Sequence, residues 1–176
     1  IIVSLTLIEI MGGPTIGPIL PELSKVFAVS PDEIQLVMAA YFLPIGIATP
    51  ILGIIADRIG VKKVLAPSLL LFAIAGSCCA FAGDFQTLIQ WRFLQGLGSA
   101  SLNLLALTLI SALYRGKALV LAMSINVSAI GVSTAIYPIV GGVLAGFSWR
   151  YPFLLATIAF PMLLLVLMVL KLPRQP

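Results

Sequence analysis

Long apolar runs separated by short clusters of charge dominate the hydrophobic pattern of this chain. Charged residues are absent from 34–56, 64–83, 118–149 and 151–170, and the runs 1–21 and 85–113 contain one each. A helix of about 20 residues crosses a hydrocarbon core of about 30 Å. The pattern therefore predicts six transmembrane helices, at 1–20, 34–56, 64–82, 85–112, 119–146 and 151–170.

Helices fit these runs better than strands do. A membrane barrel strand alternates lipid-facing and lumen-facing residues over about ten positions, whereas these runs stay apolar throughout. A helix also satisfies its own backbone hydrogen bonds in hydrocarbon. The sequence therefore predicts an all-α membrane protein, with connections at 21–33, 57–63, 83–84, 113–118 and 147–150 and a tail at 171–176. Because the connections are short, consecutive helices should be antiparallel neighbours.

Composition supports a bilayer environment. Hydrophobic residues make up 61% of the 176 residues and charged residues 9%, with a mean hydropathy of +1.18. Soluble domains carry about a quarter charged residues. The net charge of +4 is better explained by membrane topology than by nucleic-acid binding, so no nucleic-acid partner is expected.

Basic residues are distributed unevenly between the two sets of helix ends. One set carries Arg58, Lys62, Lys63, Arg115, Lys117, Lys171 and Arg174, and the other carries Lys25 and Arg150. Because basic residues accumulate on the cytoplasmic side, residues 57–63, 113–118 and the C-terminal tail should be cytoplasmic. The expected location is the cell membrane.

The residues that support enzymatic or metal chemistry are scarce. The chain has no histidine, and its two cysteines, Cys78 and Cys79, are adjacent within an apolar run. Neighbouring cysteines do not form an ordinary disulfide, and no metal-ligand spacing exists. We therefore expect no enzymatic activity, no metal and no cofactor. The chain starts at Ile1 without a signal-peptide pattern, so we expect the natural N-terminus to be missing.

The second predicted helix ends in the segment 53–63, GIIADRIGVKK. Its first glycine permits close approach of another helix, and its second permits a tight turn. The aspartate is expected to pair with the neighbouring arginine or to accept hydrogen bonds from a helix N-terminus. The simpler interpretation is an ordinary turn kept in the cytoplasm by its charge. The candidate residues are Gly53, Asp57, Arg58, Gly60, Lys62 and Lys63.

Two charged residues lie within predicted helices. Glu9 should lie about 13 Å and Arg92 about 18 Å from the cytoplasmic surface, at 1.5 Å per residue in a core of about 30 Å. A contact between them near the midplane is therefore expected, either as a proton-carrying site or as a structural ion pair. For Arg92 the simpler alternative is that the side chain extends to the outer surface. Gln95 follows Arg92 by one helical turn.

Glycine and proline interrupt the first, fourth and fifth predicted helices. Gly12, Gly13 and Pro14 follow Glu9, and Gly96 and Gly98 follow Arg92. The fifth helix contains a third group of candidate residues, Gly131, Tyr137, Pro138, Gly141 and Gly142, and a stripe of small residues, Ser124, Ser128, Gly131, Ala135 and Gly142. Such a stripe permits close helix packing, and packing alone is the simpler explanation of this group.

Polar and proline residues elsewhere in the predicted helices add minor expectations. Tyr41, Asn103 and Asn126 are candidates to line a cavity. Pro44, Pro50 and Pro161 are candidate positions for bends.

Three of these motifs resemble those of the major facilitator superfamily. Segment 53–63 matches its loop signature, and Arg92, Gln95 and Gly96 match its Arg-x-x-Gln-Gly motif. The segment around Pro138, Gly141 and Gly142 is similar to the Gly-Pro-x-x-Gly-Gly motif of the drug:proton antiporter branch, but Tyr137 replaces the glycine before the proline.

The resemblance implies a single domain, 1–176, that is the N-terminal six-helix half of a transporter, built as two inverted triplets of helices. The missing C-terminal half would be its partner, with a small-molecule substrate, protons and the bilayer. Loop 57–63 would be a conformational latch, and Glu9 with Arg92 and Gln95 would serve proton coupling or substrate binding. Proton-coupled drug efflux is the preferred function. An importer with the same fold, or a membrane scaffold or receptor that does not transport, is the alternative.

Overall fold

The computed structural model describes residues 2–169, and it is helical along most of that length. The predicted basic residues Lys171 and Arg174 lie outside the described residues. The helices are α1 (Ile2–Met11), α2 (Leu20–Phe27), α3 (Leu36–Ile59), α4 (Val61–Cys79), α5 (Phe85–Ser99), α6 (Leu102–Leu113), α7 (Gly116–Ala145), α8 (Tyr151–Leu154) and α9 (Ala159–Val169), with 3₁₀ turns at Gly17–Ile19, Glu33–Gln35 and Leu155–Ile158.

Within this part of the chain, five helical segments are long and apolar enough to cross a membrane: Glu33–Ile59, Val61–Cys79, Phe85–Leu113, Gly116–Ala145 and Tyr151–Met168. The segment Ile2–Met11 is a shorter apolar helix. The predicted all-α membrane fold is therefore confirmed.

The first predicted helix is not one continuous element, as its glycines and proline indicate. Helix α1 ends at Met11, and residues 12–16 form turns before the chain becomes helical again. The predicted connection 21–33 is also wrong in part, because it contains most of α2. Helix α2 is amphipathic. Its residues Leu20 and Leu23 are buried, and Glu22 and Lys25 are exposed. Such a pattern places a helix along a surface rather than across a bilayer.

The two connections at the basic end are shorter than predicted, whereas those at the opposite end, residues 80–84 and 146–150, are slightly longer. Gly60 alone separates α3 from α4, with a φ angle of +97°. The charged residues of segment 57–63 therefore lie at helix ends rather than in a loop, because helical hydrogen bonding continues beyond the apolar run. Only residues 114–115 separate α6 from α7. At the opposite end, Asp84 caps α5 by accepting a 2.8 Å hydrogen bond from the backbone N–H of Thr87. This bond lowers the pKa of the Asp84 carboxyl group.

Helix α5 occupies the centre of one half of the bundle, where it packs against α3 and α4, and α4 also packs against α9. Helix α1 packs against α6 and α7. Glycines permit two of the contacts of α5. A Cβ atom on Gly96 would collide with the backbone carbonyl of Tyr41, and one on Gly98 would lie 2.5 Å from the backbone nitrogen of Phe72.

Prolines inside helices do not interrupt them here. Helix α3 is continuous through Pro44 and Pro50, and α7 is continuous through Pro138. In the sixth span, the 3₁₀ turn Leu155–Ile158 precedes Pro161. The bends expected from proline alone are therefore not accompanied by helix breaks in α3 or α7.

Candidate functional site

The helix break after α1 lies in close contact with α3. The N–H groups of Gly12 and Gly13 donate to the carbonyl groups of Glu9 and Ile10 at 3.3 and 3.2 Å, in the three-residue pattern of a terminating helix. A Cβ atom on Gly12 would collide with the ring of Tyr41, and one on Gly13 would lie 2.6 Å from the ring of Phe42. Glycine is therefore required at position 12, where the ring of Tyr41 is buried, whereas the exposed ring of Phe42 can move away from position 13.

Side chains from three other helices bind backbone carbonyl groups near the end of α1. The Tyr137 hydroxyl of α7 donates to the carbonyl of Leu7 at 3.0 Å, and the Tyr41 hydroxyl of α3 donates to that of Glu9 at 2.7 Å. Arg92 of α5 donates to the carbonyl of Gly12 at 2.9 Å. Carbonyl groups near a helix C-terminus can accept such bonds in addition to those from the backbone. These bonds therefore fix the turn of α1 that carries Glu9.

Arg92 is completely buried. Besides Gly12, its guanidinium donates to the carbonyl of Val37 at 3.3 Å and to Oε1 of Gln95 at 2.8 Å, and it lies 4.5 Å from the centroid of the Tyr41 ring. Carbonyl dipoles, an aromatic face and the negative end of α1 stabilise the cation. The alternative that Arg92 extends to the outer surface is therefore wrong.

The expected contact between Glu9 and Arg92 is not formed. Within residues 2–169 no ion pair joins them, and the Glu9 carboxylate makes no hydrogen bond of its own. Tyr41 lies between the two sites, since its hydroxyl contacts the Glu9 backbone and Ser99 Oγ, the latter at 2.9 Å, while its ring faces Arg92. Depth along a helix gives the level of a residue but not the direction of its side chain, and this explains the error.

Gln95 and Gly96 lie, like Arg92, where α5 packs against neighbouring helices. Gln95 is buried, accepts the hydrogen bond from Arg92, and lies against Gly76 of α4, where a Cβ atom would be 2.6 Å from its Nε2. A cavity of about 10 Å³ borders Arg92, Gln95 and Gly12. Sequence reasoning missed Gly76, although a single glycine within an apolar helix was the available signal.

Helix α7 places its predicted residues on two different faces. Tyr137 contacts α1, and a Cβ atom on Gly141 would collide with the backbone carbonyl of Thr15. A Cβ atom added at Gly131 or at Gly142 would have no neighbouring atom within 4 Å among the described residues. The stripe of small residues is exposed, and among residues 2–169 it does not form the predicted close packing.

The three polar residues predicted to line a cavity are buried or half-buried. Tyr41 is buried by its contacts with α1 and α5. Asn126 is fully buried with both amide atoms unpaired within residues 2–169, and Oδ1 of half-buried Asn103 is likewise unpaired there. Unpaired buried amides are costly unless water or a further group binds them.

The segment around Gly60 is a helix-to-helix turn. Asp57 and Arg58 are exposed, and within residues 2–169 neither the expected pair nor a hydrogen bond from a helix N-terminus to Asp57 is formed. Lys62 Nζ donates to the carbonyl of Leu167 in α9 at 2.7 Å. Gly53 lies against the side chain of Leu104, because a Cβ atom added there would be 2.9 Å from Leu104 Cδ2. This neighbour is the end of a flexible side chain, so the close helix approach expected at Gly53 stays a prediction.

Chemistry that requires metal ligands has no support in the described part of the chain. Among residues 2–169, no group of three or more histidine, cysteine, aspartate or glutamate side chains is arranged to bind a metal ion. Cys78 and Cys79 are free thiols there.

The bundle of long apolar helices is that of a membrane protein with several membrane-spanning segments. The family model of the Major Facilitator Superfamily matches residues 2–176. The chain therefore belongs to this superfamily of transporters.

Several known proteins are similar to this chain. It is 30% identical over 157 residues to the bacillibactin exporter of Bacillus subtilis (strain 168), a match that covers 85% of this chain and 39% of the relative. It is 30% identical over 146 residues to the multidrug efflux protein YfmO of the same organism, covering 83% and 37%. It is also 30% identical over 138 residues to the putative multidrug resistance protein MdtD of Salmonella paratyphi B, covering 77% and 29%. The chain spans less than two fifths of the length of these relatives.

Proposed function

We propose that this chain is the N-terminal half of a proton-coupled exporter of drugs or other small molecules. In this proposal a C-terminal half of the same protein completes the transporter, and the two halves move around a site near the bilayer midplane. The exporter relatives support the direction of transport. The observation that carries the proposal is the Glu9 carboxyl group, which lies on a fixed turn beside a helix break without a cationic partner among the described residues.

An unpaired carboxyl group suits proton coupling. Protonation of Glu9 would neutralise a charge at the break without disrupting an ion pair, because Arg92 is bound to carbonyl and amide oxygens instead. Ionisable residues within membranes are commonly found in substrate or proton pathways. In this scheme Arg92 and Gln95 position α1, and Glu9 carries the proton.

The exposed faces support a requirement for the second half. Small residues of α7, including Gly131 and Gly142, have no partner within the described part of this chain. Only a minority of the residues in the apolar stretches of the spans Glu33–Ile59 and Gly116–Ala145 are buried, whereas more than half are buried in the span Phe85–Leu113. We propose that part of these faces packs against the missing half and that the turn at Asp57 and Gly60 acts as a latch between conformations.

We propose that the protein lies in the plasma membrane. In the proposed orientation, the turns at Gly60 and at residues 114–115 face the cytoplasm. We expect a cysteine introduced at Lys117 of the full-length protein to react with an impermeant reagent only from the cytoplasmic side. A cysteine at exposed Asp32 should react only from outside. The measurement is labelling of intact cells and of everted vesicles. Reaction of both positions from the same side would contradict the proposed topology.

Import with the same fold is the second candidate, since Tyr137 replaces the glycine of the antiporter motif and contacts α1. The two directions are separated by everted vesicles that contain the full-length protein. For an exporter, acidification of the vesicle interior should drive accumulation of substrate in the lumen, and a protonophore should abolish it. Accumulation only when the outside is acidic would indicate import. Absence of flux for every compound in a panel of drugs that also includes bacillibactin would favour a scaffold or receptor.

A further inference from the structure

An apolar groove separates α3 from α4 on the outside of the bundle. Its volume is about 360 Å³, and its walls include Ala48, Ile51 and Ile55 of α3 and Pro67 of α4. Lys63 lines the groove near the turn at Gly60. The groove therefore combines apolar walls with one cationic residue at the end where basic residues collect.

The length of the groove matches one leaflet of a bilayer. From Ala48 to Ile59 it follows α3 for about 16 Å at 1.5 Å per residue, which is roughly half of a 30 Å hydrocarbon core. Both residues line its wall. The inner end of the groove therefore lies near the midplane, and the end at Lys63 lies near the membrane surface.

The two neighbouring lysines point to different places. Lys62 Nζ donates to the carbonyl of Leu167 in α9, whereas Lys63 borders the groove. An apolar helix seated in the groove would remove Lys63 from water and offer it no acceptor, which is costly. An amphiphile with an anionic head group places its charge beside the ammonium and its chain against the apolar walls.

We infer that the groove between α3 and α4 binds one anionic phospholipid, with the phosphate at Lys63 and an acyl chain along Ile59, Ile55 and Ile51 towards Ala48. The occupant is a lipid of the leaflet that faces the basic end of the bundle. This inference does not depend on the transport activity or on its direction.

Native mass spectrometry of the purified full-length protein tests the inference with phosphatidylglycerol and phosphatidylcholine as probes. The wild type should retain phosphatidylglycerol preferentially. Lys63→Gln should weaken binding of phosphatidylglycerol about fivefold, the contribution typical of one basic residue near an anionic lipid. It should weaken binding of phosphatidylcholine less, because the choline cation offsets the charge of its phosphate. Lys117→Gln, which removes a lysine outside the groove, is the matched control and should change neither.

A second variant tests the acyl-chain site independently of charge. Ala48→Leu fills the inner end of the groove and should weaken binding of both lipids while Lys63 remains in place. Equal retention of the two lipids by the wild type would overturn the inference. Equal effects of Lys63→Gln and Lys117→Gln, or unchanged lipid binding in Ala48→Leu, would also overturn it. Because the readout is lipid binding, its failure is distinguishable from failure of the proposed transport function.

Discussion

Replacement of Arg92 by glutamine should lower the folded yield of the full-length protein sharply, while replacement of Glu9 by glutamine should lower it little. Arg92 is fully buried and donates three hydrogen bonds, to Val37, Gln95 and Gly12. Hydrogen bonds from charged donors contribute about 1.5–3 kcal/mol each, and orphaned carbonyl groups add a penalty. We expect a loss of at least about 3 kcal/mol in the free energy of unfolding.

The double variant Glu9→Gln with Arg92→Gln discriminates between this arrangement and an ion pair. If the two charges were paired, removing both would restore much of the stability lost in Arg92→Gln. In this structure they are not paired, so the effects should add within about 0.5 kcal/mol. Arg92→Lys is the control that keeps the charge but loses the geometry of the guanidinium, and it should also be destabilising. The measurement is folded yield and thermal stability of all four variants in detergent, and rescue by the double variant would contradict the unpaired arrangement.

Gly141→Ala should destabilise the protein more than Gly142→Ala does, because only Gly141 lies in close contact with a backbone atom of this chain. A Cβ atom at Gly141 would collide with the carbonyl oxygen of Thr15, and this collision cannot be relieved by a side-chain rotation because the oxygen belongs to the backbone. At Gly142 no described atom lies within 4 Å of an added Cβ atom. Overpacking of this kind costs about 1–3 kcal/mol or more. Alanine instead of glycine inside a helix is intrinsically favourable by about 1 kcal/mol, so the contrast between neighbours isolates the contact of α7 with residue 15.

Thermal stability of the two alanine variants in the full-length protein provides the measurement. We expect Gly141→Ala to unfold at a clearly lower temperature than both the wild type and Gly142→Ala. Equal stability of the two variants would show that α7 does not approach residue 15 as closely as the structure indicates. A loss confined to Gly142→Ala would place the important contact on the neighbouring face of the helix, about 100° away.

Much of the fold was predictable because the bilayer imposes a strong constraint on sequence. Apolar runs and clusters of charge located the membrane-spanning segments, and Gly12 with Pro14 indicated the interruption of the first. The ends of the helices were less predictable. Helix α3 continues past the apolar run as far as Ile59, and α4 begins at Val61. The position of the charged residues alone therefore overestimated the length of the connection predicted at 57–63.

The arrangement of side chains at the candidate site was only partly predictable. Arg92 was correctly singled out as an unusual charge in an apolar segment. The acceptors of Arg92 are mostly backbone carbonyl groups, and these carry no sequence signal. The partnership of Tyr41 and Tyr137 with α1 likewise depends on the relative rotation of helices that lie far apart in sequence.

Proton movement by the purified full-length protein in proteoliposomes tests the central proposal that Glu9 couples transport to protons. Addition of a transported substrate to wild-type vesicles should produce a measurable change in luminal pH, and an imposed pH gradient should drive flux. Glu9→Gln keeps the size of the side chain and removes its titration. This variant should fold, bind a neutral substrate and exchange it, but show no proton movement and no response to the gradient. Proton-driven flux at the wild-type rate in Glu9→Gln would contradict the proposal.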